Sequence, residues 1–157
     1  MNKKLIFMIF LIAINLLSFS NACFAVPATV GVKNFRGLYY SLAAVTGIKP
    51  TPEINKYFKS IMTRLPKDGR LDEVLNPSTL MSIKGLAALF CKEFSKNNRD
   101  LSQKSDQEIL AVLSDRIYGR NLSDAELKTQ LSLISSAQDK VFVACTSQAS
   151  SMEFLLQ

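Results

Sequence analysis

The sequence predicts an all-α fold, a compact bundle-like domain of five or six helices closed by one disulfide. Apolar residues recur at helical spacing along most of the chain. Helix-capping residues precede these apolar runs, and strand-like alternation is limited to the isolated Val141-Phe142-Val143. Two cysteines remain once an N-terminal export signal is removed, which is the number that one disulfide needs.

Residues 1–25 have the pattern of a removable export signal. Lys3 and Lys4 form a positive n-region, and the apolar run that follows, 5–17, is too short to span a bilayer with margin. A small-residue site then predicts cleavage before Val26. The rest of the chain contains no apolar run of about 20 residues, so we expect no transmembrane segment after signal removal.

Cys23 leaves a second interpretation open. A cysteine just past an apolar core, here preceded by Ala22, is also the lipidated first residue of a bacterial lipoprotein. The polar Ser20 and Asn21 fit that signal poorly. We therefore expect a periplasmic or secreted protein after signal cleavage, and keep an outer-membrane lipoprotein as the alternative.

The predicted mature chain, residues 26–157, is expected to form a single helical domain. Signal removal takes away two of the 19 basic side chains and none of the 13 acidic ones, which leaves a net charge of +4. This mature chain keeps Cys91 and Cys145, and such pairs are oxidised by default in the compartments that exported proteins enter. We predict a disulfide between them, with two buried free thiols as the alternative.

Local signals predict where the first two helices start and end. Asn34 can cap a helix over residues 35–46, and Gly47 suits the left-handed position that ends it. Thr51-Pro52 opens the second helix, because threonine accepts from a free amide and proline needs no hydrogen bond in the first turn. Residues 66–69 end that helix.

The middle of the chain predicts a short helical turn at 71–75 and then a long helix. Asn76-Pro77 repeats the cap-plus-proline signal and opens a third helix that runs to about Ser95. Cys91 falls on the broad apolar face of this helix and is therefore expected to point into the core. The polar stretch 96–104 is predicted to be the longest loop.

Two capping boxes and an apolar tail complete the predicted fold. The pairs Ser105-x-x-Glu108 and Ser123-x-x-Glu126 each open a helix, because the serine and the glutamate satisfy each other's free amides. A last helix is predicted from about Ala137 through Cys145. We expect the tail 152–157 to pack against the body, since a free apolar tail in water promotes aggregation.

The residue types exclude most enzyme classes. The chain contains no histidine, so it has no Ser-His-Asp or Cys-His catalytic group and no histidine-ligated zinc. It also has neither a Gly-x-Ser-x-Gly elbow nor a phosphate-binding glycine loop. We predict no enzymatic activity, no cofactor and no metal. Paired-carboxylate hydrolysis is the alternative, and its candidate acids are Glu53, Asp72, Glu73, Glu93, Asp115 and Asp139.

Two kinds of surface residue are candidates for contact with a partner. The densest basic stretch contains Lys92, Lys96, Arg99 and Lys104 and would attract an acidic partner, whereas its alternative is a solvated helix end. Tyrosines lie beside arginines in two places and would form either exposed contact spots or core packing with hydroxyls that reach the surface. These residues are Arg36, Tyr39, Tyr40, Arg116, Tyr118 and Arg120.

Three short motifs resemble an uncharacterised helical domain of exported gammaproteobacterial proteins. They are Ala44-Val-Thr-Gly-Ile48, Leu65-Pro66 and the Leu-Ala-Ala-Leu-Phe-Cys core within residues 80–94. The resemblance covers about residues 35–95 and implies export and a helical fold. It implies no activity.

From these observations we predict an exported, non-catalytic helical module of the bacterial envelope or secretome that binds a partner or has a structural role. An unknown protein is the expected partner, and no nucleic acid is expected. One alternative is a small carboxylate-based hydrolase of envelope or host polysaccharide. The other is a lipid-anchored periplasmic accessory factor of a secretion system.

Overall fold

Seven α-helices make up most of residues 33–62 and 76–156, which are the residues that the computed structural model describes. A 3-10 turn, Leu101–Gln103, lies between the third and fourth helix. The helices are α1 (Phe35–Thr46), α2 (Pro52–Met62), α3 (Pro77–Asn97), α4 (Asp106–Tyr118), α5 (Asp124–Ile134), α6 (Lys140–Ala149) and α7 (Met152–Leu156). The all-α prediction is confirmed, and the tail contributes the additional short helix α7.

Several predictions fall outside the described residues. They concern the export signal 1–25 with Cys23, the helical turn 71–75 with Asp72 and Glu73, and the end of the second helix at 66–69. Within the described ranges no strand occurs, and Val141-Phe142-Val143 form part of α6. No helix in those ranges combines the length and apolar character needed to cross a membrane.

The predicted caps form as expected. The Asn34 side chain accepts from the amide of Gly37, and Gly47 ends α1 with a φ of 66°, in the left-handed region that glycine adopts without strain. Both capping boxes are complete: Ser105 and Glu108 satisfy each other's free amides at the start of α4, and Ser123 and Glu126 do so at the start of α5.

The last long helix starts later than predicted. It begins at Lys140 and not near Ala137, because the Asp139 carboxylate accepts from the amide of Phe142 and thereby caps the helix. The start signal is an aspartate two residues before a β-branched and aromatic run. Helix α3 extends two residues past the predicted Ser95.

Helix α3 lies at the centre of the packing. It has its most extensive contact with α6 and also packs against α1 and α2. Its buried face contains Ile83, Leu86, Ala87, Phe90, Cys91 and Phe94. Tyr57 of α2 crosses α3 at Gly85, where a Cβ atom would lie 2.8 Å from the tyrosine Cζ. The absence of a side chain at residue 85 therefore allows α2 to pack closely against α3.

The predicted disulfide joins the two helices of this main contact. Cys91 and Cys145 are fully buried, with their sulfurs 2.00 Å apart and their Cα atoms 5.6 Å apart. The bond closes a loop with a sequence separation of 54 residues. A crosslink over that distance restricts the unfolded chain by about 4 kcal/mol in the loop-entropy model.

The apolar tail packs against the body, as predicted. Phe154 and Leu155 of α7 are almost fully buried. The Lys33 ammonium lies 3.8 Å from the centre of the Phe154 ring and donates to the Phe154 carbonyl at 2.7 Å. The Lys33 amide donates to the Leu155 carbonyl at 3.0 Å. Residues at the two ends of the described chain therefore hold each other in place.

An arginine clamp holds α7 from the other side. Arg120 donates to both oxygens of Glu126 at 2.8 and 3.0 Å and to both oxygens of Glu153 at 2.6 and 2.9 Å. Hydrogen bonds from Arg120, and then from Ser123, lower the pKa of the Glu126 carboxyl to about 2. One guanidinium thus connects the start of α5 to α7.

We predict that the Cys91→Ala/Cys145→Ala double variant loses about 4 kcal/mol of unfolding free energy, because its unfolded chain regains the loop entropy. Urea unfolding of the parent and of the double variant, followed by circular dichroism, measures the difference. A loss below about 1 kcal/mol would contradict a structural role for the bond.

We also predict that Glu126 makes stability fall in acid. Its folded pKa lies below the ordinary carboxyl value of 4.5, so its contribution is present above about pH 4.5 and is lost as pH falls toward 2. The Glu126→Gln variant keeps the capping shape but not the charge. Thermal unfolding of parent and variant should differ most at neutral pH and converge in that acid window.

The control for the pH dependence is Glu53→Gln, since Glu53 is exposed on α2 and forms no ion pair with a described residue. This variant should follow the parent across the same pH range. A Glu126→Gln variant that also stays parallel to the parent would show that the clamp contributes no pH-dependent stability.

Candidate functional site

A basic cleft of about 480 Å³ lies where the end of α3, the 3-10 turn and the start of α6 meet. Three of the four basic residues singled out in the sequence line it, namely Lys96, Arg99 and Lys104. Lys92 is exposed one turn earlier on α3 and does not line the cleft. The remaining lining residues are Ser95, Ser102, Gln138, Asp139 and Lys140.

The segment 96–104 forms a wall of the cleft because it folds back onto the body. The Asn98 side chain donates to the Phe94 carbonyl at 2.8 Å and ends α3. Leu101 is buried in the 3-10 turn, and this turn contacts α6. The predicted solvated loop thus contains one apolar anchor, which fixes the positions of the basic side chains on either side of it.

A disulfide and a pair of hydrogen bonds join α3 to α6 at the floor of the cleft. Cys91 is bonded to Cys145, and one turn further along α3 the Ser95 hydroxyl contacts both oxygens of Asp139, at 2.8 and 2.9 Å. The Asp139 carboxylate also accepts from the Phe142 amide at 2.9 Å. Both oxygens of Asp139 therefore already accept hydrogen bonds within the chain, and the cations of the cleft are the groups that can contact a ligand.

The charges of the cleft are only partly compensated. Lys96 pairs with Glu93 at 2.8 Å, and Lys140 pairs with Asp106 at 2.7 Å. Arg99 and Lys104 form no ion pair with a described acid. The charge of Lys104 does help to lower the pKa of Glu108, although hydrogen bonds from Ser105 are the larger cause. Two cations thus remain available to an incoming anion.

The candidate carboxylates within the described ranges lie on separate elements. Glu53 lies on α2, Glu93 pairs with Lys96, Asp115 lies on α4 and Asp139 caps α6. None of these acids except Asp139 lines the basic cleft. Nor do three acidic or cysteine side chains in these ranges come together as a metal site requires.

The tyrosines divide between the two predicted roles. Tyr39 is buried and donates to Asn55 at 2.5 Å, and the half-buried Tyr118 donates to the Gln148 carbonyl and contacts the Ser151 hydroxyl. Core packing with a partnered hydroxyl therefore describes both residues. Core packing is wrong for Tyr40, whose side chain is 68% exposed, because its position on α1 faces solvent.

Sequence reasoning missed the contribution of α6 to the cleft, namely Gln138, Asp139 and Lys140. The signal was present in the predicted disulfide. Two antiparallel helices bonded through Cys91 and Cys145 place the residues that follow Cys91 opposite those that precede Cys145. Ser95 and Asp139 meet in this way.

No protein-family model, curated protein or solved structure significantly matches the chain. What the cleft binds is therefore inferred from its own side chains.

Proposed function

We propose that this protein is an exported, non-catalytic binding module that holds an acidic segment of a partner protein in its basic cleft. The observation that carries the proposal is the pair Arg99 and Lys104, two cations without an ion-pair partner in the described chain, at the wall of a cleft whose other two cations are paired. Arginine in particular binds carboxylates through two parallel hydrogen bonds.

The mixed polarity of the cleft favours a polypeptide over a uniform polyanion. Asp139 lines the same cavity and would repel a densely charged nucleic acid or sulfated glycan. The Ser95 and Ser102 hydroxyls already donate within the chain but can still accept, and the Gln138 amide offers both a donor and an acceptor. An acidic peptide supplies carboxylates for the cations and backbone groups for these neutral partners.

Export is supported by three features of the chain. The N-terminal 25 residues have the pattern of a signal, the motifs at 44–48 and 80–94 resemble an exported helical domain, and the Cys91–Cys145 bond suits an oxidising compartment. A lipoprotein anchored through Cys23 is the alternative form of the same proposal. A carboxylate hydrolase receives no support from the positions of the described acids.

The intact mass of the full-length gene product, recovered from a bacterial envelope fraction and from soluble fractions, tests export. We expect a chain that begins at Val26 and whose two thiols react with an alkylating reagent only after reduction. A chain that begins at an acylated Cys23 would establish the lipoprotein form. A chain that retains residues 1–25 in the cytoplasm would contradict export.

A charge-reversal pair tests the cleft. We expect Arg99→Glu/Lys104→Glu to weaken binding of a fluorescent Asp- and Glu-rich peptide at least tenfold, because two attractive contacts become repulsive. Fluorescence anisotropy at two salt concentrations measures the affinity, and the Asn- and Gln-containing counterpart of the peptide shows how much depends on charge.

The matched control is Lys84→Glu/Lys128→Glu, which changes the net charge by the same amount at exposed lysines outside the cleft. This control should bind the acidic peptide within about twofold of the parent, because charges outside the cleft act on the peptide only through the long-range electrostatic field. Equal weakening by both double variants would show that net charge, and not the cleft, attracts the peptide.

A further inference from the structure

A second cleft, of about 310 Å³, lies between α1 and α2 and differs chemically from the basic cleft. Its walls are aromatic and its rim is cationic. The residues that line it include Arg36, Tyr40, Asn55, Phe58, Lys59 and Met62, together with the buried Tyr39. None of the described residues that line it is acidic.

Apolar side chains converge on this cleft although they remain exposed to solvent. Tyr40 is 68% exposed and Met62 is 37% exposed. Arg36 completes the group, and tyrosine, methionine and arginine are the residue types that protein interfaces favour. An exposed aromatic platform beside a cation is typical of a contact surface, because a surface that meets only water would more often carry polar residues.

The aromatic platform rests on the core. The Tyr40 ring meets the Tyr39 ring edge-on at 5.4 Å between centroids. The Tyr39 ring in turn packs against Phe58 at 4.4 Å and edge-on against Phe90 at 5.7 Å. The ring on which a partner would pack is therefore supported from below by buried aromatic side chains.

The cleft offers more hydrogen-bond donors than acceptors. The Tyr39 hydroxyl donates to Asn55 Oδ1 at 2.5 Å, which occupies the amide oxygen and leaves the Nδ2 group as a donor. Burial raises the pKa of the Tyr39 hydroxyl, so it stays a neutral donor. The guanidinium of Arg36 and the ammonium of Lys59 add positive charge. The group that complements one oriented amide donor and two cations is a carboxylate.

We propose that this cleft is a second docking site, which binds a polypeptide segment whose aromatic side chain lies next to a carboxylate. The aromatic ring packs on Tyr40, Phe58 and Met62, and the carboxylate accepts from Arg36, Lys59 or Asn55. The volume lies at the lower end of the range for ligand sites, about 300–1,000 Å³, so one ring and an adjacent acid fill it. This site does not depend on the basic cleft.

Three short capped peptides test the proposal on the mature chain. The first contains Phe-Asp, the second contains Phe-Asn, and the third contains Ala-Asp. Amide chemical shifts followed by NMR report both the affinity and the place of binding. We expect the Phe-Asp peptide to bind with a Kd on the order of 1 mM, as suits so small a ligand, and to shift Tyr40 and the Asn55 side-chain amide. Each of the other two peptides should bind at least fivefold more weakly.

Substitutions separate the site from non-specific binding. Tyr40→Ala and Arg36→Glu should each weaken the Phe-Asp peptide at least fivefold. Leu133→Ala removes another exposed apolar side chain, 50% accessible on α5, and should leave the affinity unchanged. Near-identical amide spectra away from the cleft show that each variant is folded.

Equal binding of all three peptides, or shifts confined to the basic cleft, would overturn the proposal. So would an unchanged affinity of a folded Tyr40→Ala variant, or the absence of binding at a peptide concentration 10-fold above the expected Kd. Shifts at Tyr40 caused by a glucuronate oligosaccharide, in the absence of peptide binding, would assign the cleft to an acidic sugar and would also overturn the peptide assignment.

Discussion

The bond between Cys91 and Cys145 is the constraint on which the rest of the structure depends. It joins α3 to α6, the two helices with the most extensive contact, at a point where both are fully buried. Helices α1 and α2 pack against α3, helices α4 and α5 pack against α6, and α7 packs against α4. Fixing α3 against α6 therefore also fixes the register in which Ser95 meets Asp139 and in which the two walls of the basic cleft face each other.

Local chemistry made most of the fold predictable. Asn34, Ser105 and Ser123 each cap the helix that the sequence assigns to them, because capping is decided by residues within four positions of one another. Asp139 was harder to recognise as a cap, since the chain before it contains two serines that are also good helix starters. Leu101 was missed because one apolar residue in a polar stretch becomes an anchor only when tertiary structure offers it a place.

The candidate site was predictable to a smaller extent. Its cations Lys96, Arg99 and Lys104 are close in sequence, so composition alone drew attention to them. Lys140 and Gln138 come from a distant part of the chain, and only a pairing of helices brings them to the same cavity. The aromatic cleft shows the same limit: Tyr40 and Arg36 are visible in the sequence, but whether Asn55 and Met62 stand opposite them depends on how α2 crosses α3 at Gly85.

Lys33 has a consequence for the topology of the domain. Through its amide, its ammonium and the face of the Phe154 ring it connects the beginning of the described chain to α7, 121 residues away. Non-covalent contacts thereby join the first described residue to the last helix. Loss of the Lys33 side chain would therefore weaken the docking of α7, although the two lie far apart in sequence.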